Sequence, residues 1–276
     1  MKTAKSLACV TDNKNDNFSS HENNLFSWNT RWGNLGLKNF QWLGRTGIIG
    51  KISIKFRSTT VNPHPCAACQ LGKQEHTPRG DSCTENHNGG SIKVNQLDPG
   101  DLIFSDQYES RLKGRHFTAR GHSLLTQKYH GGTLFCDAAS VNVIVICQMV
   151  LTGTETVQSK LQSEQEAAAV GVPINQYCTK NGVYTSKDFV NEIISKGRGI
   201  KHGRVGVQHH NSVAENSIKT NFHTYYTMMI RSSLRWPEHN ECDIWHKDLS
   251  HAACWHNETP HMLYWLFPTE LWSHIK

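Results

Sequence analysis

The sequence predicts an α/β chain: a mixed sheet flanked by helices, preceded by a small module of helices and loops. β-branched apolar runs recur between residues 102 and 151, each bounded by Gly or polar residues. Helix-period segments dominate from residue 152 onward. Residues 58–100, by contrast, are rich in Thr, Asn, Pro and Gly, which marks a loop-dominated stretch ahead of the sheet. Strands, then a helix, a strand and further helices make an α/β layer.

Element by element, residues 1–24 form a polar, Asn-rich tail without the apolar core of a signal peptide. Leu25, Trp28, Trp32 and Leu35, then Phe40, Leu43 and Ile48, recur at helical spacing and predict two short helices broken near Gly33–Gly36. Cys66-Ala-Ala-Cys69 lies in the loop-rich module that follows. Leu102-Ile-Phe104 ahead of Asp106, Thr133 to Asp137, and Val141 to Leu151 read as three sequential strands, with Asp106 closing the first. Thr152-Gly-Thr-Glu155 has capping-box spacing and opens a helix to about Val170. A short strand, Ile174 to Thr179, ends at the turn signal Lys180-Asn181-Gly182. Helices are predicted over 186–195, 212–234 and 244–256, with a last turn or helix from Pro268. The domain reading is a tail (1–24), a small module (25–95) and an α/β core (96–276).

Composition narrows the function. The chain has 276 residues, 37% hydrophobic and 19% charged, enough for one sizeable core and a smaller module. Nine cysteines at scattered spacing point to intracellular thiols and one metal-type pair rather than a disulfide framework. No apolar run approaches the ~20 residues that cross a bilayer, so a soluble chain with no membrane partner is expected. The net charge of +6 comes entirely from residues 1–95, with 12 Lys+Arg against 6 Asp+Glu; the rest balances at 17 against 17. That excess is a modest hint of a polyanionic partner.

Two acids stand out by position. Asp106 is expected at a strand end and Glu215 in the first turn of a long helix, where α/β sheets place chemistry. Phosphoryl transfer on nucleic acid needs carboxylates around divalent cations, and hard oxygen ligands suit Mg²⁺ or Mn²⁺. Each acid also has a plain reading: Ser212-Val-Ala-Glu215 is itself a capping box, and an acid at a strand end is commonly just solvated.

Longer motifs go further. Gln208-His-His-Asn-Ser-Val-Ala-Glu215-Asn-Ser-Ile-Lys219-Thr resembles the HHxNGVAENxIKT stretch of copia-type retrotransposon integrases. Thr227-Met-Met-Ile-Arg-Ser-Ser-Leu-Arg-Trp-Pro237, Leu249-Ser-His-Ala, His256-Asn-Glu-Thr-Pro260 and Pro268-Thr-Glu-Leu-Trp272 continue the pattern in order. Cys66-Ala-Ala-Cys69-Gln-Leu-Gly-Lys73-Gln resembles the family's pre-integrase zinc module, and residues 25–51 its helical segment. The resemblance implies a ribonuclease-H-like core whose D, D, E triad holds Mg²⁺ or Mn²⁺ and joins element ends to target DNA. It also implies a homo-oligomer, a nuclear location, and a segment of a larger polyprotein. Carried over position by position, the triad falls on Asp106, on residue 180 of Lys180-Asn-Gly-Val-Tyr-Thr-Ser186, and on Glu215. The step from 180 to 215 is 35 residues, similar to the family's D(35)E spacing. Asn211 and Lys219 fall where the family approaches the DNA end.

The departures are chemical. Lys180 puts an ammonium where the triad has a carboxylate, and a protonated ammonium cannot ligate a metal. The W-H-x4-H pattern reads Trp28-Asn29-Thr-Arg-Trp-Gly-Asn34, with Asn at both histidine positions. Asn29 and Asn34 are poor zinc ligands, which leaves Cys66 and Cys69, and two thiolates alone hold zinc weakly. A substitute set, Cys66-x2-Cys69-x13-Cys83-x3-His87, has finger-like spacing; the same Cys83 and His87 also read as scattered linker residues. Ser212 replaces a family Gly. Three losses beside well-kept framework residues suggest a degenerate copy with impaired catalysis.

For DNA contact, Lys219 and Asn211 are joined by Arg111, Lys113, Arg115 and Arg120, and by Lys196, Arg198, Lys201 and Arg204, which read equally as solvated basic loops. Trp236, Trp245, Trp255, Trp265 and Trp272 read as core or subunit interface. Three outcomes stay open: an integrase remnant, a non-enzymatic nucleic-acid- or partner-binding module of the same fold, and a chain that folds poorly without zinc.

Overall fold

The computed structural model describes residues 27–36, 42–45, 67–74, 97–116, 128–203, 212–239, 241–260 and 266–273. They divide between two compact units, Met1–Gln74 with His223–Glu241, and Glu75–Phe222 with Cys242–Lys276.

In the first unit, residues 27–31 and 42–45 are helical and α1 spans Ala67–Gly72. The first helix stops where Gly33 and Asn34 take φ of 61° and 60°, close to the predicted break. Left-handed backbone suits Gly and is tolerated by Asn, so the sequence ends the helix locally. Leu43 is fully buried. Gly72 faces Thr227, whose Oγ1 would lie 2.4 Å from any added Cβ, so only glycine fits this approach.

The second unit holds the sheet. Its strands are β1 (Ile103–Arg115), β2 (Lys128–Asp137), β3 (Val143–Gln148), β4 (Gln176–Thr179) and β5 (Gly199–His202). The order is β3-β2-β1-β4-β5; β1, β2 and β3 run antiparallel, while β4 is parallel to β1 and β5 to β4. The helices are α2 (Gly153–Ala169), α3 (Lys187–Ser195), α4 (Ser212–Arg235, of which residues 212–222 belong to this unit), α5 (Trp245–Asn257) and α6 (Pro268–Ser273). The fold class is the expected α/β one, a mixed sheet flanked by helices.

Alternation along the strands buries both faces. On one face Ile103, Phe135, Ile146 and Tyr177 pack with Ala167 of α2 and with Phe189 and Ile193 of α3. On the other, Phe104, Leu134, Cys136 and Cys178 pack with Ala214 of α4 and Ala253 of α5. Neighbouring residues such as Phe104 and Ile103 therefore serve opposite cores, and a one-residue slip would exchange them.

Several expectations need correction. Asp106 does not close its strand: β1 continues nine residues beyond it, to Arg115. The polar half holds because it pairs with β2, from Asp106 opposite Leu134 to Glu109 opposite Gly131, then past a bulge to Arg115 opposite Lys128. Gly131 permits that pairing, since a Cβ there would meet the Tyr108 carbonyl oxygen at 2.2 Å. Val141, predicted as a strand residue, sits in the β2–β3 turn at φ 56°, and β3 begins at Val143. The segment read as a basic loop contains β5. In the predicted capping box, Thr152 accepts from the Glu155 N–H, but the Glu155 carboxylate accepts from Met149 and Val150 instead of closing back on Thr152.

Candidate functional site

Strand register builds the site. The parallel ladder of β1 with β4 ends at the pair Ser105 and Thr179, so residues 106 and 180 stand side by side where the two strands part. Beyond Lys180, Gly182 takes φ 86° and a short 3-10 turn runs over Gly182–Thr185. Tyr184 of that turn is buried and its hydroxyl accepts from Ser105 Oγ at 3.1 Å, which ties the turn to β1 behind Asp106. Glu215 comes from the first turn of α4, whose Ala214 packs on the same face of the sheet.

Three residues far apart in sequence thus converge. Lys180 Nζ donates to Asp106 Oδ2 at 2.8 Å and to Glu215 Oε1 at 2.9 Å. The Asp106 side chain is 10% exposed, against 48% for Lys180 and 40% for Glu215, so the triad is closed at the strand and open to solvent at the helix. The other Asp106 oxygen accepts from the Gln107 N–H at 3.0 Å. Burial pushes the Asp106 carboxyl above its ordinary value, against the opposing pull of Lys180 and the Gln107 N–H. Burial acts to lower the Lys180 ammonium, but the hydrogen bonds and charges of Asp106 and Glu215 outweigh it and hold Lys180 above its ordinary value. Lys180 is therefore a cation at neutral pH.

A divalent cation does not fit this arrangement. It would need the two carboxylate oxygens that Lys180 already holds, and the ammonium adds like-charge repulsion where the metal would sit. Among the described residues no group of three or more His, Cys, Asp or Glu could hold a metal ion.

The other predicted positions are dispersed. Lys219 is an exposed residue of α4, four residues after Glu215 and so one turn along the same face. Asn211, Cys66, Arg120, Arg204, Cys83, His87 and Trp265 lie outside the described residues. Cys69 is half-buried on α1. Of the two asparagines at the histidine positions, Asn29 donates through Nδ2 to the Leu35 carbonyl. Asn34 is buried and accepts from Arg231 Nη1 at 2.8 Å through Oδ1, and from Lys73 Nζ at 3.5 Å through its carbonyl. Both amides serve the local fold and do not fit zinc ligation. Asp137, another acid at a strand end, is buried and accepts from the N–H groups of Gly100, Ala139 and Ser140 and from the Ser140 hydroxyl, which makes it a loop anchor.

Two basic positions are engaged in ion pairs. Arg115 pairs with Asp243 at 3.1 Å, and Arg198 pairs with Glu164. The second pair belongs to a cluster that sequence reasoning missed. Lys160 has a fully buried side chain between Glu164 at 2.8 Å and Glu192 at 3.6 Å, and the Tyr177 hydroxyl donates to Glu164 at 2.7 Å. The i,i+4 spacing of Lys160 and Glu164 was the available signal, but that spacing usually marks a solvated helix face. Trp245 and Trp272 are core residues as expected, whereas Trp236 is half-exposed.

Fold and site together define the class: an α/β core with a five-stranded mixed sheet, and two carboxylates and an ammonium where β1 and β4 part. No family model matches the chain, and no curated protein matches it. Among solved structures it is similar to the catalytic core domain of HTLV-2 integrase in complex with magnesium in its trimeric form. The two share 16% identity over 63% of this chain and 97% of that one, with a TM-score of 0.44. It is also similar to the catalytic core domain of BIV integrase, at 13% identity over 63% of this chain and 95% of that one, TM-score 0.43. A third is the simian T-cell lymphotropic virus intasome in complex with PP2A regulatory subunit B56 gamma. There the identity is 18% over 63% of this chain and 56% of that one, TM-score 0.42. Among the described residues no helix is long and apolar enough to cross a membrane.

Proposed function

We propose that the chain is a copia-type retrotransposon integrase-like protein that binds DNA and has lost most or all of its DNA-joining chemistry. The observation that carries the reading is the meeting of residues 106, 180 and 215, the positions of the D, D(35)E pattern, in one ion triad at the β1–β4 parting. Asp106 and Glu215 stand as the two remaining triad acids and Lys180 as the replaced one. Lys219, one turn beyond Glu215, lies on the DNA side, with Asn211 just ahead of the helix. Element ends and target DNA are the partners, a homo-oligomer the working form and the nucleus the working place. Cys66 and Cys69 are what is left of the zinc module, with Asn29 and Asn34 at the lost histidine positions.

With Lys180 holding both carboxylates, the metal clamp that orients an in-line attack on phosphate is not available to the site. Mn²⁺-dependent strand transfer on a labelled oligonucleotide tests this directly. The natural chain should join no DNA above background, Lys180→Asp should recover joining, and adding Asp106→Asn to that variant should abolish it. Activity in the natural chain that Asp106→Asn removes would overturn the reading of Lys180. A salt titration of DNA binding addresses the alternative of a non-enzymatic remnant. Binding with a negative slope of log K on log salt, but no joining by any variant, would favour that remnant, and a slope near zero would argue against phosphate contact.

A further inference from the structure

We propose that the Lys180 ammonium is the resident cation of this site, a tethered replacement for a divalent metal, and that its removal turns Asp106 and Glu215 into a divalent-cation site. Asp106 comes from a strand and Glu215 from a helix, yet one oxygen of each lies within 3 Å of the same Nζ. Two carboxylates brought that close repel each other unless a cation lies between them. Here the cation is covalently attached to the end of β4, so it is always present.

Charge and tethering both favour the ammonium over a free ion. Three carboxylates at these positions would carry −3; Asp106, Lys180 and Glu215 together carry −1, which removes most of the field that attracts a divalent ion. A free ion would also have to eject the ammonium and break two charge-assisted hydrogen bonds. The tether gives the ammonium an effective concentration of about millimolar or more, comparable to the free metal that competes with it. Fold integrity around the triad is thereby independent of divalent metal.

This assignment rests on the reading of the three positions as an integrase triad, but its test uses no DNA, so its failure and a failure of DNA joining are separate results. Thermal unfolding of the full chain is followed with increasing MgCl₂ or MnCl₂ against a control of matched ionic strength. The natural chain should show no rise in Tm beyond the control. Lys180→Met and Lys180→Asp should each gain about 3 °C or more at saturating Mn²⁺, with the larger gain for Lys180→Asp. Adding Asp106→Asn to Lys180→Asp should remove the gain. Mn²⁺ binding read by calorimetry on the natural chain and on Lys180→Gln gives the same contrast if one variant folds poorly. An equal Tm rise in the natural chain, or none in either variant, would overturn the proposal.

Discussion

Two lysines in the sheet-bearing unit each stand between two carboxylates, and they do different work. Lys160 lies between Glu164 and Glu192, fully buried, with Arg198 and the Tyr177 hydroxyl also on Glu164. Lys180 lies between Asp106 and Glu215 at similar distances, but 48% of its side chain is exposed. The first cluster ties α2, α3, β4 and the turn before β5 together around a lysine that has given up its water, while Glu192 and Arg198 at its rim stay partly exposed. The second closes the point where two strands part and keeps one side in solvent. The same ion geometry is a structural joint when dry and a site when wet, because the cost of exchanging one partner depends on what water can replace.

The largest effect should come from breaking the dry joint. Glu164→Ala leaves Lys160 with Glu192 alone, at 3.6 Å, and takes from Arg198 the carboxylate the two share; breaking a buried pair costs up to about 3–5 kcal/mol. Chemical denaturation should show a lower midpoint with an unchanged slope. Lys160→Met, which removes the charge and keeps the apolar stem, should cost far less. If both variants fell within about 1 kcal/mol of the natural chain, the cluster would be a surface-type pair despite its burial.

Acid sharpens the contrast, because the two clusters respond with opposite signs. Burial opposes ionisation of Glu164, but Arg198, Lys160 and Tyr177 outweigh it and hold the carboxyl below its ordinary value. Its stabilisation is present above the unfolded-state pKa, about 4.3, and is lost as pH falls through the lower folded value. Asp106 is raised by burial, so the folded chain takes up that proton first, and acidification favours folding between the unfolded and folded values. Glu164→Gln should therefore flatten the acid limb of the stability curve, and Asp106→Asn should steepen it. His246 also contributes to the acid response. His246 is fully buried beside Tyr129 and Trp245, and burial together with Lys247 lowers it to about 4. The unfolded chain binds that proton from about pH 6.5, so stability is lost between there and pH 4, by up to about 3 kcal/mol. His246→Phe should remove that part of the fall, as read by unfolding midpoints at a series of pH values. An unchanged fall would place the proton uptake elsewhere.

The same contrast explains what was legible in the sequence. Periodicity located most of the helices and most of the strands, since burial on one or both faces leaves its mark on residue order; it missed α1, which lies in the stretch read as loop. It missed the second half of β1, where Gln107 to Arg115 alternates weakly and is held by pairing with β2, by Tyr108 against Phe222 and Trp245, and by Arg115 with Asp243. It missed β5 because a four-residue edge strand with two basic residues carries almost no pattern. At the site, the resemblance to copia-type integrases singled out residues 106, 180 and 215, and these three side chains meet in one ion cluster. The resemblance could not show that the Lys180 arm folds onto both remaining acids, because that depends on register between β1 and β4 and on where α4 begins. Asn34 was singled out only through the resemblance; its left-handed backbone and its bond to Arg231 were not legible.

The smallest expected effect tests the wet side of the comparison. Lys180→Met in metal-free buffer removes two ion pairs and leaves Asp106 and Glu215 facing each other. Exposed pairs of this kind contribute about 0–1 kcal/mol each, and half of the Lys180 side chain is in water, so the loss should stay near 1 kcal/mol. It should also shrink between about 0.05 M and about 1 M salt, as the Debye length contracts to a few ångströms and the two carboxylates are screened from each other. The loss in Glu164→Ala should barely change over the same range, because screening does not reach a buried charge. A salt-insensitive loss of several kcal/mol in Lys180→Met would put Lys180 in the same class as Lys160. The triad would then be a structural joint, and a carboxylate at 180 would unfold the chain rather than open a metal site.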